Sequence, residues 1–477
     1  MFNESKIALQ FAAVSDLQHG FLSDRAPGKA KPLSPGEKSL KGLGDSIAYF
    51  DTGERGREGF RQLQELALQY NDRGLDAVFF AGDIINNARA SQVESFKDVY
   101  EAHLDPAKVP FIFCLGNHDI KSGRPYTLQE LNMDVFYRIL GDEYRTYEKE
   151  TSALELGCVH QIVGGYHFLA INPLDKGYLS QEGDASGAKY APEALAWMDA
   201  RLAAITAEHP DRYVFVTTHP MLRDLAYGGD LVYGTLFWNT VDLLDVLNKY
   251  PQVVAFGGHL HFPISDERSI MQDKVTNINC GAMSYMATEN GGFRYMANKT
   301  VMLDASQVSN GHLVQIDEDG NLRIIRMNFG LGKTIKEPWI LPAPTADGAH
   351  LKCYSQERGS AENNQPPVLA EDAIAVSDNG AWVTDGALRT TLSFKAGTDD
   401  DLIHYYKITI TEGDQVVEEA KLLADSYLYA SPADMKTLWT LELAADTYFK
   451  GHTYTIALTA YDSWEAASNT VTYTYQP

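Results

Sequence analysis

The run Pro110-Phe111-Ile112-Phe113-Cys114-Leu115-Gly116-Asn117-His118-Asp119 is the most informative part of this 477-residue chain. Its first half is short, apolar and aromatic, which is typical of a strand that is buried on both faces. Its second half changes at once to polar residues of the types that bind metals. Because active sites in open α/β sheets lie beyond the carboxyl ends of the strands, the run predicts a strand followed by a functional site.

Four further motifs follow apolar, β-branched or aromatic runs in the same way: Asp16-Leu17-Gln18, Gly82-Asp83, Thr218-His219 and Gly258-His259-Leu260-His261. A single Asp after a strand is more often a helix cap, and a single His-Pro is more often a turn. Five clusters of metal-binding residue types at successive strand ends, in contrast, predict one shared metal site. The chain is therefore interpreted as a metal-dependent hydrolase.

Composition limits the other classes of function. Lys and Arg number 40 against 64 Asp and Glu, which gives a net charge of −24 and a surface that repels nucleic acid. No apolar run approaches the roughly 20 residues that span a bilayer, so no membrane segment is expected. The N-terminus lacks the features of a signal peptide. We expect a cytoplasmic protein, with export possible if a leader has been removed.

The four cysteines are scattered and include no Cys-x-x-Cys pair. Cys114 and Cys280 lie in apolar runs, so both are predicted to be buried free thiols rather than redox or zinc residues.

Strand-like and helical patterns alternate up to about residue 345, which predicts an α/β domain over residues 1–345. A long insertion, Phe21 to Tyr49, follows the first motif. The predicted elements are strands at Ile7 to Val14, Ala77 to Phe80, Phe111 to Leu115, Val214 to Thr217 and Val253 to Phe256, helices at Arg57 to Arg73, Gln92 to His103 and from Pro192, and a hairpin from His312 to Phe329.

A polar, proline-containing linker is predicted at residues 346–366, and helical periodicity is absent from residues 367–477. The predicted strands there are Thr390 to Phe394, Tyr405 to Thr411, Gln415 to Lys421, Leu438 to Leu443, Thr453 to Ala460 and Thr470 to Tyr475. Their spacing favours an all-β immunoglobulin-like sandwich. The segment from Tyr454 to Asp462, with Ser468, resembles the end of a fibronectin type III domain.

Taken in order, the five motifs resemble those of the calcineurin-like metallophosphoesterase superfamily, D-x-H, G-D, G-N-H-[DE], H and G-H-x-H, over about residues 7–330. The resemblance implies a four-layer αββα sandwich, two divalent metal ions and a small phosphorylated substrate. It also implies seven metal ligands. Those of the first metal are Asp16, Gln18 and His261, those of the second are Asn117, His219 and His259, and Asp83 bridges both metals.

In such a site, hydroxide held between the metals attacks phosphorus in line. His118 has no metal-binding role in the family pattern. The resemblance implies that it stabilises developing charge or protonates the leaving oxygen. We expect catalysis to depend on His118, Asp83 and Asn117.

Gln18 is the one departure, because the family usually has His at this position. An amide oxygen is a weaker ligand than imidazole, so the first metal is expected to be held loosely or through water. Manganese-dependent enzymes similar to ADP-ribose/CDP-alcohol diphosphatases also carry Gln here, which favours Mn over Fe or Zn and diester or pyrophosphate substrates. His19 is adjacent, but neighbours in an extended segment point apart.

Two other functions stay open. The chain could be a binding or surface protein whose phosphoesterase domain is inert and whose C-terminal sandwich mediates adhesion. A nuclease is disfavoured by the acidic balance and by the lack of a basic stripe. Substrate recognition is predicted in the loops after His219 and His261, where Arg223, Tyr227 and Tyr285 could bind phosphate or stack on a base. Simple packing of these loops is an equally good interpretation.

Overall fold

The computed structural model describes residues 2–20, 52–120, 132–173, 190–222, 226–227, 240–289, 299–301, 308–382, 388–424, 431–443 and 448–477. The insertion predicted at Phe21 to Tyr49 and the side chain of Arg223 lie outside these ranges. Contacts divide the chain into one compact unit formed by Met1–Thr288 and Lys299–Ser355, and a second that includes Gln356–Pro477.

The first unit contains α-helices and strands in alternation. Its helices are α1 (Thr52–Leu68), α2 (Ala90–Tyr100), α3 (Asn117–Ile120), α4 (Met133–Leu140), α5 (Pro192–Glu208) and α6 (Val241–Leu247). Its strands are β1 (Ile7–Val14), β2 (Ala77–Ala81), β3 (Phe111–Cys114), β4 (Cys158–Val163), β5 (Tyr166–Ile171), β6 (Val214–Pro220), β7 (Val253–Gly258), β8 (Ile270–Gln272), β9 (Thr276–Asn279), β10 (Ala287–Glu289), β11 (Lys299–Val301), β12 (Asn310–Asp317), β13 (Leu322–Asn328), β14 (Lys333–Thr334) and β15 (Trp339–Leu341).

Most of these strands form two large sheets, and β10 pairs with β11 in a separate two-stranded sheet. The first has the order β14-β13-β12-β1-β2-β3, with β15 on β13, and the second has the order β4-β5-β6-β7-β9-β8. Strands β1, β2 and β3 are parallel, as are β6 and β7. Parallel neighbours bring their carboxyl ends to one edge of the sheet, so the residues that follow them lie together.

Alternate side chains of each strand enter different layers, as the two-residue period of a strand requires. On β1, Phe11 packs between the two sheets, where its ring centroid lies 4.8 Å from that of Phe215. Val14, three residues later and so on the opposite face, lies in the layer of α1, α2 and α4. On β6, Val216 faces α5 and α6 instead. The first unit is therefore built from helices, sheet, sheet and helices in that order, which agrees with the α/β fold predicted for it.

The second unit contains seven described strands in two sheets, β16-β17-β20 and β19-β18-β21-β22. They are β16 (Ile374–Trp382), β17 (Leu388–Lys395), β18 (Ile403–Glu412), β19 (Gln415–Leu423), β20 (Leu438–Glu442), β21 (Tyr454–Asp462) and β22 (Val471–Tyr475). Side chains from both sheets share one core, which includes Phe394, Tyr406 and Ile456. The unit is a β-sandwich with its own hydrophobic core.

The sequence patterns missed β16. Its segment Ser377-Asp378-Asn379-Gly380 has the composition of a turn. In the structure it continues the strand, and the register with β17 shifts between Asp378 and Trp382.

The first unit also continues past residue 345, where the sequence places a linker. His350 Nε2 donates to the carbonyl of Pro251 at 2.9 Å, and the hydroxyl of Tyr354 accepts the amide of Ile340 at 2.8 Å. Polar sequence alone did not show that this segment packs on the unit.

None of the described helices is both long and apolar enough to cross a bilayer. All four cysteines are free, and Cys114 and Cys280 are buried, which confirms the thiol prediction for these two residues.

Candidate metal centre

The five motifs meet at the carboxyl ends of five strands of the first unit. Asp16 follows β1, Asp83 follows β2, Asn117 follows β3, His219 is the next-to-last residue of β6, and His259 follows β7. All seven predicted ligands therefore lie within two residues of a strand end or in the short loops beyond it. The structure brings them together in two groups.

Asp16, Gln18 and His261 form the first group. His261 Nε2 lies 3.0 Å from Asp16 Oδ1 and 3.3 Å from Gln18 Nε2. All three side chains are at most 1% exposed. The sequence predicts these residues as ligands of the first metal.

Asp83, Asn117, His219 and His259 form the second group, centred on His219 Nε2. This nitrogen lies 3.3 Å from Asp83 Oδ2, 3.2 Å from Asn117 Oδ1 and 3.2 Å from His259 Nδ1. The ligand atoms of Asp83, His219 and His259 all lie within 4.8 Å of one another, a spacing that one metal ion can fill. A backbone link joins the groups, because the amide of His259 donates to Asp16 Oδ2 at 2.7 Å.

Backbone carbonyls fix the tautomers of two histidines. His219 donates its Nδ1–H to Ala81 at 2.7 Å, and His261 donates its Nδ1–H to Tyr285 at 2.7 Å. In the neutral rings the lone pair is then on Nε2, the atom that faces the site. A histidine that binds a metal usually has its other nitrogen held in this way.

When both imidazoles are neutral, the site therefore brings several hydrogen-bond acceptors into contact with one another. The lone pair of His261 Nε2 faces Asp16 Oδ1, and that of His219 Nε2 faces Asp83 Oδ2. Among the described residues, Asp16 Oδ1, Gln18 Oε1 and Asp83 Oδ2 are buried oxygens with no hydrogen-bond partner. Buried acceptors in contact with other acceptors are costly unless a cation lies between them. The donor set thus fits metal binding.

The electrostatics of the second group point the same way. Burial opposes the charge on Asp83, but the imidazoles of His219 and His118 outweigh it and hold the pKa of this carboxyl well below its usual range. Burial also opposes the charge on His219, yet Asp83 and Asp16 outweigh it and raise its pKa to about 9. Without a metal, a proton on His219 supplies the positive charge that Asp83 requires, and a divalent cation would take its place.

Most of the predicted ligands lie on backbone of an uncommon conformation. Five of the seven have φ in the left-handed region, and their values are 52° for Asp16, 49° for Gln18, 56° for Asp83, 71° for His259 and 57° for His261. Residues other than glycine adopt this region only when the surrounding structure holds them there. The packing of the loops therefore fixes where these side chains point.

Glycines in three motifs allow the loops to approach one another. A Cβ on Gly116 would overlap the backbone nitrogen and Oδ1 of Asp83, and a Cβ on Gly258 would overlap Ser15 Oγ and Asp16 Oδ2. Gly82 has φ +81°, which also favours glycine. A side chain at any of these three glycines would therefore push the motif loops apart.

His118 lies beside the second group and is partly exposed. Its Nδ1–H donates to the carbonyl of Asn86 at 2.8 Å, and its Nε2 lies 3.9 Å from Asp83 Oδ2. His19 points elsewhere, since its Nε2 hydrogen bonds with Ser95 Oγ at 2.7 Å.

Sequence reasoning missed Ser15 and the loop after β9. Ser15 Oγ donates to Asp16 Oδ2 at 2.6 Å, which leaves Oδ1 as the free carboxylate oxygen. The amides of Met283 and Ser284 donate to the carbonyls of Ser15 at 2.9 Å and Asp16 at 3.1 Å. The one signal in the sequence was the position of Ser15 next to a predicted ligand.

Two residues considered for substrate binding are described. Tyr227 is 4% exposed, and the guanidinium of Arg268 lies 4.2 Å from its ring centroid. The ring centroid of Tyr285 lies 4.3 Å from that of His261. Tyr227 thus packs within the unit, whereas Tyr285 borders the first group of ligands.

The family described as calcineurin-like phosphoesterase matches residues 9–263, more than half of the chain. No curated protein matches the chain.

Two solved structures are similar to the chain at low identity. A purple acid phosphatase, PPD1, from yellow lupin seeds has 14% identity and a TM-score of 0.41, over 70% of this chain and 53% of that one. The NAD nucleotidase NadN of Haemophilus influenzae has 12% identity and a TM-score of 0.32, over 70% of this chain and 56% of that one. The chain thus spans a little over half the length of each structure.

Proposed function

The chain belongs to the calcineurin-like phosphoesterase family, and from this premise we propose that it hydrolyses a small phosphodiester, nucleotide or phosphomonoester with two divalent metal ions. The observation that carries the proposal is the convergence of buried acceptor atoms on two imidazole nitrogens, Nε2 of His261 and Nε2 of His219. Around each of these two nitrogens lie oxygen and nitrogen atoms of the types that bind divalent metals. We infer that Asp16, Gln18 and His261 would hold one metal, that Asn117, His219 and His259 would hold the other, and that Asp83 would contribute to both.

The donor set supports manganese as the preferred ion. Four of the seven proposed ligands offer oxygen, namely Asp16, Gln18, Asp83 and Asn117, and the other three are imidazoles. Carboxylate and amide oxygens suit Mn²⁺, whereas imidazole suits Zn and Fe. The larger number of oxygen ligands therefore favours Mn²⁺. Two bound ions would supply Lewis-acid stabilisation of the phosphoryl oxygens and a water of lowered pKa as the nucleophile.

The chain's own residues supply positioning and proton transfer. Ser15 and the amide of His259 occupy Asp16 Oδ2, so Asp16 offers one oxygen in a fixed direction. The carbonyl of Asn86 holds the ring of His118 and leaves Nε2 beside the second group, 3.9 Å from Asp83 Oδ2. We assign to that nitrogen the proton that the leaving oxygen takes up.

The experiment that tests the proposal is a substrate panel on metal-defined protein. Purified protein is treated with EDTA, desalted, and assayed with and without Mn²⁺ on p-nitrophenyl phosphate, bis(p-nitrophenyl) phosphate, cyclic nucleotides and a dinucleotide pyrophosphate. We expect hydrolysis of at least one class that EDTA stops and Mn²⁺ restores. No hydrolysis of any substrate class with Mn, Fe or Zn would instead support a binding protein whose phosphoesterase domain is inert.

Replacing Gln18 by His tests whether Gln18 is a weak ligand of the first metal. We expect Gln18→His to bind the first metal about tenfold more tightly, because imidazole replaces an amide oxygen next to His261. Calorimetric titration of the metal-free protein measures this, with Gln161→His on β4 as a control at a buried glutamine outside the site. Unchanged affinity and stoichiometry would show that Gln18 does not touch the metal.

For the second unit we propose a fibronectin type III-like domain over residues 367–477, joined to the catalytic domain by a linker that begins after the first unit ends at Ser355. Its order of three strands in one sheet and four in the other supports this, as does the shared core. A binding role of this domain is the second candidate function, and it would survive a negative result in the substrate panel.

A further inference from the structure

Asp119 ends the central motif, and the ligand assignment gives it no role. Its side chain is fully buried at the end of α3. Its carboxylate accepts three backbone hydrogen bonds: Oδ2 from Gly116 at 2.8 Å and from Ile84 at 3.2 Å, and Oδ1 from Ile85 at 2.8 Å. Both oxygens are thus directed at backbone amides, one in its own loop and two in the loop after β2.

Asp83 makes the reciprocal contact. Its Oδ1 accepts the backbone amide of His118 at 2.7 Å, in the loop that carries Asp119. Each of the two loops therefore carries one carboxylate that accepts hydrogen bonds from backbone amides of the other loop. With Oδ1 held by this amide, Asp83 keeps Oδ2 for the site.

The loop after β2 in turn holds the first motif. The carbonyl of Gly82 accepts the amide of Asp16 at 3.0 Å, that of Asp83 accepts the amide of Gln18 at 2.8 Å, and that of Ile84 accepts the amide of His19 at 2.8 Å. A shift of this loop would therefore move ligands of both groups. Asp119 fixes two consecutive amides of the same loop.

We propose that Asp119 is a positioning residue that sets both metal positions at once without touching either metal. The inference rests on the proposed function, because it concerns the same site. Partners that orient metal ligands typically change metal affinity or activity by about 10- to 100-fold when they are replaced. Asp119 differs from a simple helix cap in that its carboxylate spans two ligand-bearing loops.

Asp119→Asn is the direct test. Asn keeps the size of Asp, but its amide nitrogen carries hydrogens and must face a backbone N–H where a carboxylate oxygen accepted it before. We expect the affinity for Mn²⁺ to fall by about 10- to 100-fold at both positions, and kcat to fall more than KM rises. In metal-free protein we expect the amides of Ile84, Ile85 and Gly116 to exchange hydrogen at least about tenfold faster.

Asp317→Asn is the matched control. Asp317 is also fully buried and also accepts three backbone amides, from Asn3 at 2.8 Å, Asp319 at 3.0 Å and Asn321 at 2.9 Å. It pairs with Ile7 at the opposite end of β1 from the site. We expect a comparable loss of thermal stability in this variant and no change in Mn²⁺ affinity.

Two results would overturn the inference: Mn²⁺ affinity of wild-type strength in Asp119→Asn, or an equal loss of affinity in Asp317→Asn. Failure of the proposed function would look different, because the wild-type protein itself would then bind no divalent ion and hydrolyse no phosphoester. In that case hydrogen exchange in the metal-free protein still tests whether Asp119 holds the loop. Unchanged exchange of the Ile84 and Ile85 amides in Asp119→Asn refutes the positioning role.

Discussion

Asp83→Asn should lower kcat/KM by about a thousandfold or more, equivalent to ~4 kcal/mol of transition-state stabilisation. The substitution keeps the shape of the side chain and leaves one oxygen for the amide of His118. It removes the negative charge that faces His219 Nε2 at 3.3 Å, and it puts an amide nitrogen in place of a carboxylate oxygen. Steady-state kinetics and metal content by elemental mass spectrometry measure the loss.

Asp76→Asn is the control for this prediction, because Asp76 and Asp83 lie just before and just after the same strand, β2. Asp76 Oδ2 accepts the amide of Gln10 at 2.9 Å, and nothing places it near the ligands. We expect its variant to keep wild-type turnover and metal content. Turnover in Asp83→Asn equal to that of the control would contradict the bridging assignment.

Gly116→Ala should reduce activity by about a hundredfold and lower the free energy of unfolding by ~1–3 kcal/mol. A methyl group at this position overlaps the backbone nitrogen of Asp83 as well as its Oδ1, so the whole loop must move. A flexible side chain could turn away at small cost, but backbone cannot. Kinetics and urea unfolding of the metal-free protein measure the two effects.

Gly332→Ala separates the loss of stability from the loss of activity. Gly332 is exposed and has φ +61°, and a Cβ there would meet nothing within 4 Å. We expect this variant to lose about 1 kcal/mol through backbone strain and to keep full activity. If Gly116→Ala were as active as Gly332→Ala, close approach of the two loops would not matter for the site.

The sequence allowed prediction of the strands that carry the site, because a buried parallel strand needs a continuous apolar run. The predicted strand Ile7 to Val14 coincides with β1, and Phe111 to Leu115 ends one residue beyond β3. The polar motifs then had to lie at one edge of the sheets. The grouping of the ligands followed only from the family resemblance, and the structure places Asp16 with His261 and Asn117 with His219.

The contacts that orient the ligands could not be predicted, because they join residues that are far apart in the chain. The amide of Ser284 reaches the carbonyl of Asp16, and the carbonyl of Tyr285 holds His261. The role of Asp119 depends on amides 34 and 35 residues earlier. No pattern within a short stretch of sequence indicates such pairings. Similarly, β16 was missed because a register shift lets turn-forming residues continue a strand.

Anomalous diffraction from a crystal of the full chain soaked in Mn²⁺ tests the presence of two metal positions most directly. We predict two anomalous peaks about 3.5–4 Å apart, one beside Asp16 and His261 and the other beside Asn117 and His219, with Asp83 between them. A single peak, or none at this site at a Mn²⁺ concentration that saturates the protein in solution, would contradict this prediction.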